Sequence, residues 1–336
     1  MIKEAIKKIL AGDNLSINEA SQVMDTIMSG EATPAQIAGF IIALKQKGEK
    51  AEEVAGMVQS MRSHSLKIKL VDKNAVDVVG TGGDGAHTFN ISTASALVAA
   101  ASGVTVAKHG NRSVSSKCGS ADLLEKAGGN IDPGSEKVAE NINNLKFGFM
   151  FAPRFHPAMK YAAGPRKELG VSTVFNILGP MTNPAGVKKQ LTGVYIKELM
   201  PLVAEVLNIT GSEHIIICHS RDGLDELSIS APTDYIEIKN GKQTLNTLYP
   251  EDMGVKIHSD NAIIGGDAQY NLTILQDVLE GIKSPYRDAT LLNAAGLIYL
   301  AGKADTIADG MSVAIEALDS GSAKELLNKW VKASNS

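Results

Sequence analysis

Apolar residues in the first part of the chain recur at helical spacing. Ala20, Val23, Met24 and Ile27 mark one face of a helix whose start is set by Ser16 and Glu19, a capping box, and whose stop is Gly30. Thr33-Pro34-Ala35-Gln36 repeats the device: Thr33 caps, Pro34 takes the first helical position where its missing N–H is harmless, and Gly48 closes the helix. A third helix is expected over 51–63. No strand period interrupts residues 1–70, which therefore read as a helical module.

At Ala75 the period changes. Ala75-Val76-Asp77-Val78-Val79 is a β-branched run ended by glycines, and Ser92 to Ala101 then reads as a helix of small residues. Val104 to Ala107, Phe149 to Ala152, Leu191 to Ile196, Ile215 to Cys218 and Tyr235 to Ile238 read as further strands, with helices at 121–127 and 157–169. From Ala268 the pattern returns to helices, among them the strongly apolar segment around Ala294, Leu297 and Leu300. This alternation predicts an α/β fold: a small helical N-terminal domain, and a larger domain with a mostly parallel central sheet flanked by helices. The expected division is 1–70 and 71–336. The Gly/Pro-rich passage from Gly164 to Pro184 reads as a crossing between lobes, so that about 165–188 contributes to the helical one.

Composition narrows the picture. With 44% hydrophobic and 21% charged residues the chain can bury a sizeable core, and disorder is excluded. A net charge of -4 is the opposite of the field that phosphate-backbone binding needs, so no nucleic-acid partner is expected. Cys118 and Cys218 make no disulfide framework and no zinc spacing, which points to a reducing compartment, the cytoplasm. No run of about 18 apolar residues suggests a membrane span, and Glu4 with the missing apolar core speaks against a signal peptide. The histidines show no metal-ligand spacing, disfavouring a zinc hydrolase.

Chemistry-bearing residues cluster in three places. Gly80-Thr81-Gly82-Gly83-Asp84-Gly85 follows the first strand and satisfies G-x-G-x-x-G. A dinucleotide site also needs an acid at the end of the next strand. That strand ends in Lys108-His109-Gly110, which changes the expected ligand from ribose hydroxyl to phosphate. Glycine amides and the helix start at Asn90-Ile91-Ser92-Thr93 suit an anion, while Asp84 suits a sugar hydroxyl or a metal. The second place is the loop from Lys108 to Ser120, crowded with cations, hydroxyls and glycine, either a solvated excursion or a lid over an anionic ligand. The third is Asp222-Gly223-Leu224-Asp225-Glu226, where a turn could bring two carboxylates to one cation, or leave a merely solvated acidic turn. Arg166 is either a surface charge or the grip on a substrate carboxylate.

Taken together, Gly80 to Asp84, Asn90 to Thr93, Lys108-His109-Gly110-Asn111-Arg112, the run Phe175 to Pro184 and Asp225-Glu226 resemble the anthranilate phosphoribosyltransferases, and the likeness extends over nearly the whole chain. The first two loops are shared with pyrimidine nucleoside phosphorylases; Asn111, Arg166 and Phe-Asn-Ile-Leu-Gly-Pro favour the anthranilate branch. The resemblance implies transfer of the phosphoribosyl group of phosphoribosyl pyrophosphate to anthranilate in tryptophan biosynthesis, with Mg²⁺, in a homodimer joined through the helical domain. It implies that Gly80, Gly83, Asp84, Thr88, Asn90, Ile91, Ser92, Thr93, Lys108, Ser116 and Ser120 hold phosphoribosyl pyrophosphate. Gly80, Asn111 and Arg166 would meet anthranilate, and Ser92, Asp225 and Glu226 would ligate magnesium. No residue is expected to serve as acid or base, because an aromatic amine is already unprotonated at pH 7; Lys108 acts electrostatically.

Overall fold

Local signals set the N-terminal helices of this computed structural model, which describes residues 1–113 and 116–336. Val114 and Ser115 of the second loop lie outside the described residues. Of the helices α1 (Ile2–Leu10), α2 (Ile17–Met28), α3 (Pro34–Lys47) and α4 (Ala51–Ser63), α2 and α3 start where the caps predict. The Glu19 carboxylate accepts from the Ser16 amide at 2.8 Å, and the Gln36 side chain accepts from the Thr33 amide at 2.9 Å. Gly56 lets α4 lie directly on α2, since a Cβ there would run into the Ile17 carbonyl.

The larger part begins with β1 (Val76–Gly80), α5 (Ile91–Ala101), β2 (Val106–Gly110), α6 (Ser120–Lys126), α7 (Ser135–Leu145) and β3 (Phe147–Phe151). A crossing passage carries the single turn α8 (Ala152–Phe155), α9 (Lys160–Leu169) and α10 (Phe175–Leu178). It is followed by β4 (Lys189–Gly193), α11 (Leu199–Ile209), β5 (His214–Ser220), β6 (Thr233–Lys239) and β7 (Lys242–Leu248). Four helices, α12 (Ala268–Leu279), α13 (Pro285–Leu300), α14 (Ile307–Asp319) and α15 (Ser322–Ser334), end the chain. The sheet order is β3-β2-β1-β4-β5-β6-β7, parallel from β3 to β5 and antiparallel in its last two strands.

Period-two alternation divides the core. On β5, Ile216 and Cys218 join α5, α13, α14 and α15 on one face, while Ile215 and Ile217 join α11 and the helical lobe on the other. The crossing passage belongs to the second core: Ala162, Phe175, Ile177, Leu178 and Met181 are buried with α1 to α4. Lys45 donates to the Ser172 carbonyl, and the half-buried Arg62 donates to the carbonyls of Met181 (3.0 Å) and Thr210 (3.3 Å), tying α4 to that passage and to α11. At the far edge Trp330 on α15 meets the Phe147 ring edge-to-face, with centroids 5.6 Å apart. Among the described residues no helix is long and apolar enough to cross a membrane.

Three local expectations are revised. The strand expected to stop at Ala107 runs on to Gly110, placing Lys108 inside β2. Helix α7 went unanticipated because it buries only Val138, Asn141 and Ile142. Strand β7 is polar along an exposed edge and was also missed; its signal was Asn240-Gly241, both at positive φ (52° and 76°), the residues that a tight hairpin turn requires.

Candidate active site

The chain leaves β1 toward β2 on one side and lies beside β4 on the other, so a crevice opens at the carboxyl ends of β1 and β4. Thr81 fastens these ends together: its amide donates to the Gly193 carbonyl and its hydroxyl accepts from the Tyr195 amide, both at 3.0 Å. The glycine loop starts in that crevice, with Gly82, Gly83 and Gly85 at φ of 65°, 85° and 73°. These angles strain other residues and turn successive amides outward.

Behind the loop lies a buried charge network. Alternation on β2 sends Lys108 toward α5 and His109 to the opposite face. Lys108 is only 1% exposed; its ammonium donates to the Val78 carbonyl at 2.8 Å and to the Ser92 hydroxyl at 3.2 Å. Burial pulls its pKa down, and the negative charges of Asp77 and Glu226 oppose that pull. Asp77, fully buried on β1, accepts from the amides of Val78 (2.8 Å) and His109 (3.1 Å) and from Asn183 of the crossing passage (2.7 Å). Burial nevertheless pushes Asp77 up to about 6.

Gly223 at φ 95° turns the acidic segment across the strand ends. The Asp225 carboxylate accepts from the Gly82 amide at 2.9 Å. A Cβ on Gly80 would run into that carboxylate, and one on Gly193 into the Asp225 carbonyl, so both strands end in glycine where this segment passes. Burial raises the Asp225 and Glu226 pKa values; Asp84 pushes Asp225 further up, and Asp225 does the same to Glu226. Such a pair of crowded carboxyls is relieved by a cation. Among the described residues no three His, Cys, Asp or Glu side chains form a closed metal cage. The donor set, Asp225 and Glu226 with the nearby Ser92 hydroxyl, therefore fits a hard ion that completes its shell with water and phosphate oxygens, as Mg²⁺ does.

The remaining residues of the expected site fall around this centre. Gly80 ends β1. Thr88 pairs with Ile264 in an isolated antiparallel bridge. Asn90 precedes α5, and its side chain donates to the Cys118 carbonyl at 3.0 Å, joining the first loop to the second. Ile91 points into the core, leaving its backbone alone to offer a contact; Thr93 is buried with a hydroxyl that has no partner. In the second loop Ser116 faces Ser113, hydroxyl to hydroxyl at 2.8 Å. Ser120 does not cap α6: Gly119 holds that position and Asp122 accepts its amide at 2.8 Å. Cys118 is buried and its thiol is pushed up to about 11, which suits a structural role.

Asn111 is exposed beyond β2, its carbonyl oxygen accepting from the Arg112 amide at 2.7 Å. Arg166 lies apart from the phosphate loops in sequence and on the other lobe; its guanidinium stacks over Phe175 at 5.2 Å from the ring centroid, and burial lowers its pKa. Sequence reasoning missed Asp77, Asn183 and Gly193. An isolated Asp within an apolar strand was the one available signal for Asp77. It also missed the buried pair His109 and His156, with ring centroids 5.1 Å apart.

Comparison with known proteins agrees with this architecture. Residues 72–324 match the family described as "Glycosyl transferase family, a/b domain", and residues 3–65 match "Glycosyl transferase family, helical bundle domain". An anthranilate phosphoribosyltransferase from Thermomicrobium roseum is 48% identical over 100% of this chain and 97% of its own length. The crystal structure of the enzyme of that name from Thermus thermophilus superposes with a TM-score of 0.94 at 41% identity, covering 99% of both chains. The Saccharomyces cerevisiae enzyme in complex with phosphoribosyl pyrophosphate and Mg superposes with a TM-score of 0.90 at 30% identity, covering 99% of this chain and 98% of that one. Two-lobed architecture, loop order and full-length identity lead to one assignment: this chain belongs to the anthranilate phosphoribosyltransferases of the glycosyl transferase family.

Proposed function

We propose that this chain transfers the phosphoribosyl group of phosphoribosyl pyrophosphate to anthranilate, releasing pyrophosphate, in tryptophan biosynthesis. The observation that carries the reading is the meeting, at the β1–β4 crevice, of the glycine loop, buried Lys108 and the Asp225–Glu226 pair. Amides of Gly83 and of the α5 start, with Asp84, Thr88, Asn90, Ile91, Ser92, Thr93, Lys108, Ser116 and Ser120, hold phosphoribosyl pyrophosphate in this proposal. Gly80, Asn111 and Arg166 receive anthranilate. Asp225 and Glu226, with Ser92, would hold Mg²⁺, which supplies charge neutralisation to the departing pyrophosphate.

The amine nitrogen forms a bond to the anomeric carbon as the carbon–oxygen bond to pyrophosphate breaks, and the amine proton then leaves to solvent. No strong base is needed, because the arylamine lone pair is already free at neutral pH. The barrier lies in the leaving group's charge. Lys108, held between the Val78 carbonyl and Ser92, is placed to answer it without reorganising. Arg166 stands on the helical lobe, so closure of that lobe on the sheet brings acceptor to sugar. The proposal includes a homodimer formed through the helical lobe. The two free, buried cysteines support a reducing, cytoplasmic location.

The test is the loss of anthranilate fluorescence with phosphoribosyl pyrophosphate and Mg²⁺. Turnover that needs all three is expected; its absence at millimolar substrates, with phosphorolysis of thymidine instead, would transfer the chain to the nucleoside phosphorylase reading.

A further inference from the structure

Helix α12 supplies a residue that reaches back to the phosphate loops across 181 positions of sequence. Asn271 is 1% exposed, and its side-chain amide is engaged at both ends. Its Oδ1 accepts from the Gly266 amide at 2.7 Å, and its NH₂ donates to the Asn90 side-chain Oδ1 at 3.0 Å. Asn90 in turn donates its own NH₂ to the Cys118 carbonyl at 3.0 Å. The relay thus runs from the segment before α12, through the end of the first loop, to the second loop.

Its direction is determined at both termini. A backbone amide at Gly266 can only donate and a carbonyl at Cys118 can only accept, so each intervening amide has one orientation that satisfies both ends. Asn90 does not use its side chain to cap α5; the group is committed to the relay. The segment before α12 also grips the first loop by its backbone: Phe89 donates to the Ile263 carbonyl at 3.0 Å and Gly265 donates to the His87 carbonyl at 2.9 Å. Gly265 has no room for a Cβ, which would come to 2.8 Å from Phe89 N and Thr88 O and to 2.9 Å from the Asn271 oxygen.

We infer that Asn271 is a positioning residue for phosphoribosyl pyrophosphate: it fixes Asn90 so that the first and second loops present their donors in one register. The inference rests on the assignment of Asn90 and both loops to that substrate. Truncating Asn271 leaves the half-buried Gly266 N–H and Asn90 side-chain oxygen without this partner. Replacing it by Asp sets two acceptors against each other, and the compensating flip of Asn90 would set its oxygen against the Cys118 carbonyl.

Calorimetric titration of phosphoribosyl pyrophosphate with Mg²⁺, without acceptor, tests this on the full-length wild type and on Asn271→Ala, Asn271→Ser and Asn271→Asp. The expected result is a Kd raised roughly tenfold, as for loss of one buried hydrogen bond, and a KM for phosphoribosyl pyrophosphate raised in parallel, with the KM for anthranilate within about twofold. Asn271→Ser, the smallest polar change, serves if the others fail to fold. In an Asn90→Ala background Asn271→Ala should add little to the Kd, since the residue acts through Asn90. A lowered Tm with unchanged Kd, or a full additional loss in the Asn90→Ala background, overturns the inference. If the wild type itself neither binds nor turns over, the functional reading falls with it; if it does both, only the role of Asn271 is at stake.

Discussion

Arg166 and the Asp225–Glu226 pair serve opposite ends of the proposed reaction, and substitutions separate them. In the proposed site, removing the Arg166 guanidinium deletes one charge-assisted contact to the substrate carboxylate, about 1.5–3 kcal/mol. Arg166→Ala should therefore raise the KM for anthranilate by roughly 10- to 100-fold, while calorimetric affinity for phosphoribosyl pyrophosphate stays near the wild-type value. Equal loss of both would take Arg166 out of the acceptor site. Asp225→Asn with Glu226→Gln removes the charges that a divalent ion answers. The Mg²⁺ concentration giving half-maximal rate should rise steeply, and a titration curve that overlays the wild type would exclude the pair as its ligands. Residue chemistry of this kind was readable in the sequence because it is carried by short segments, the glycine loop and the Asp225–Glu226 pair. Asp77 was not, because its importance comes from the His109 amide and Asn183, arriving from a different strand and from the crossing passage.

At the scale of elements, the helix starts that were placed in advance are the self-contained ones of α2 and α3, whose caps close within four residues. Helix α7 and strand β7 depend on neighbours: α7 buries three residues and β7 lies on an outer edge, so neither writes a strong apolar period into its own residues. The extension of β2 through Lys108 and His109 was hidden for the same reason, since hydrogen-bonding along β3 makes it a strand despite two ionisable side chains. Strand ends also yield a paired prediction. In Gly193→Ala the new methyl meets backbone, the Asp225 carbonyl, and relief requires moving the segment, so Tm should fall as for a loss of several kcal/mol. In Gly80→Ala it meets only the tip of the Asp225 side chain, so Tm should change little while the Mg²⁺ requirement increases. Thermal scans with Mg²⁺ titrations of both variants check this, and matching effects on Tm would contradict it.

For the molecule as a whole, His109 and His156 link folding to pH. Burial holds His109 at about 3 and His156 at about 4, and both therefore stay neutral in the folded chain across the mildly acidic range. In the unfolded chain they take protons near pH 6.5. At these two sites the unfolded state thus binds more protons below that value, and the stability they contribute above it is lost as pH falls, at about 1.4 kcal/mol per pH unit for each histidine once the unfolded groups are charged. Asp77, Asp225 and Glu226, raised by burial, act in the opposite sense, so the histidine contribution is read as a difference: in urea denaturation between pH 6.5 and 4.5 the slope of stability against pH should be about 1.4 kcal/mol per pH unit more positive for the wild type than for His156→Gln. An unchanged slope would mean that His156 is protonated in the folded state.

The seating of Trp330 against Phe147 has a practical corollary. It is the sole indole in 336 residues, and it sits on the last helix, far in the chain from α1 to α4. Intrinsic emission consequently reports on the docking of that terminal helix and is dark to the N-terminal lobe, whereas circular dichroism counts helices in both. Overlaying the two signals in one melt would reveal whether the lobes come apart together or in turn, with no label attached.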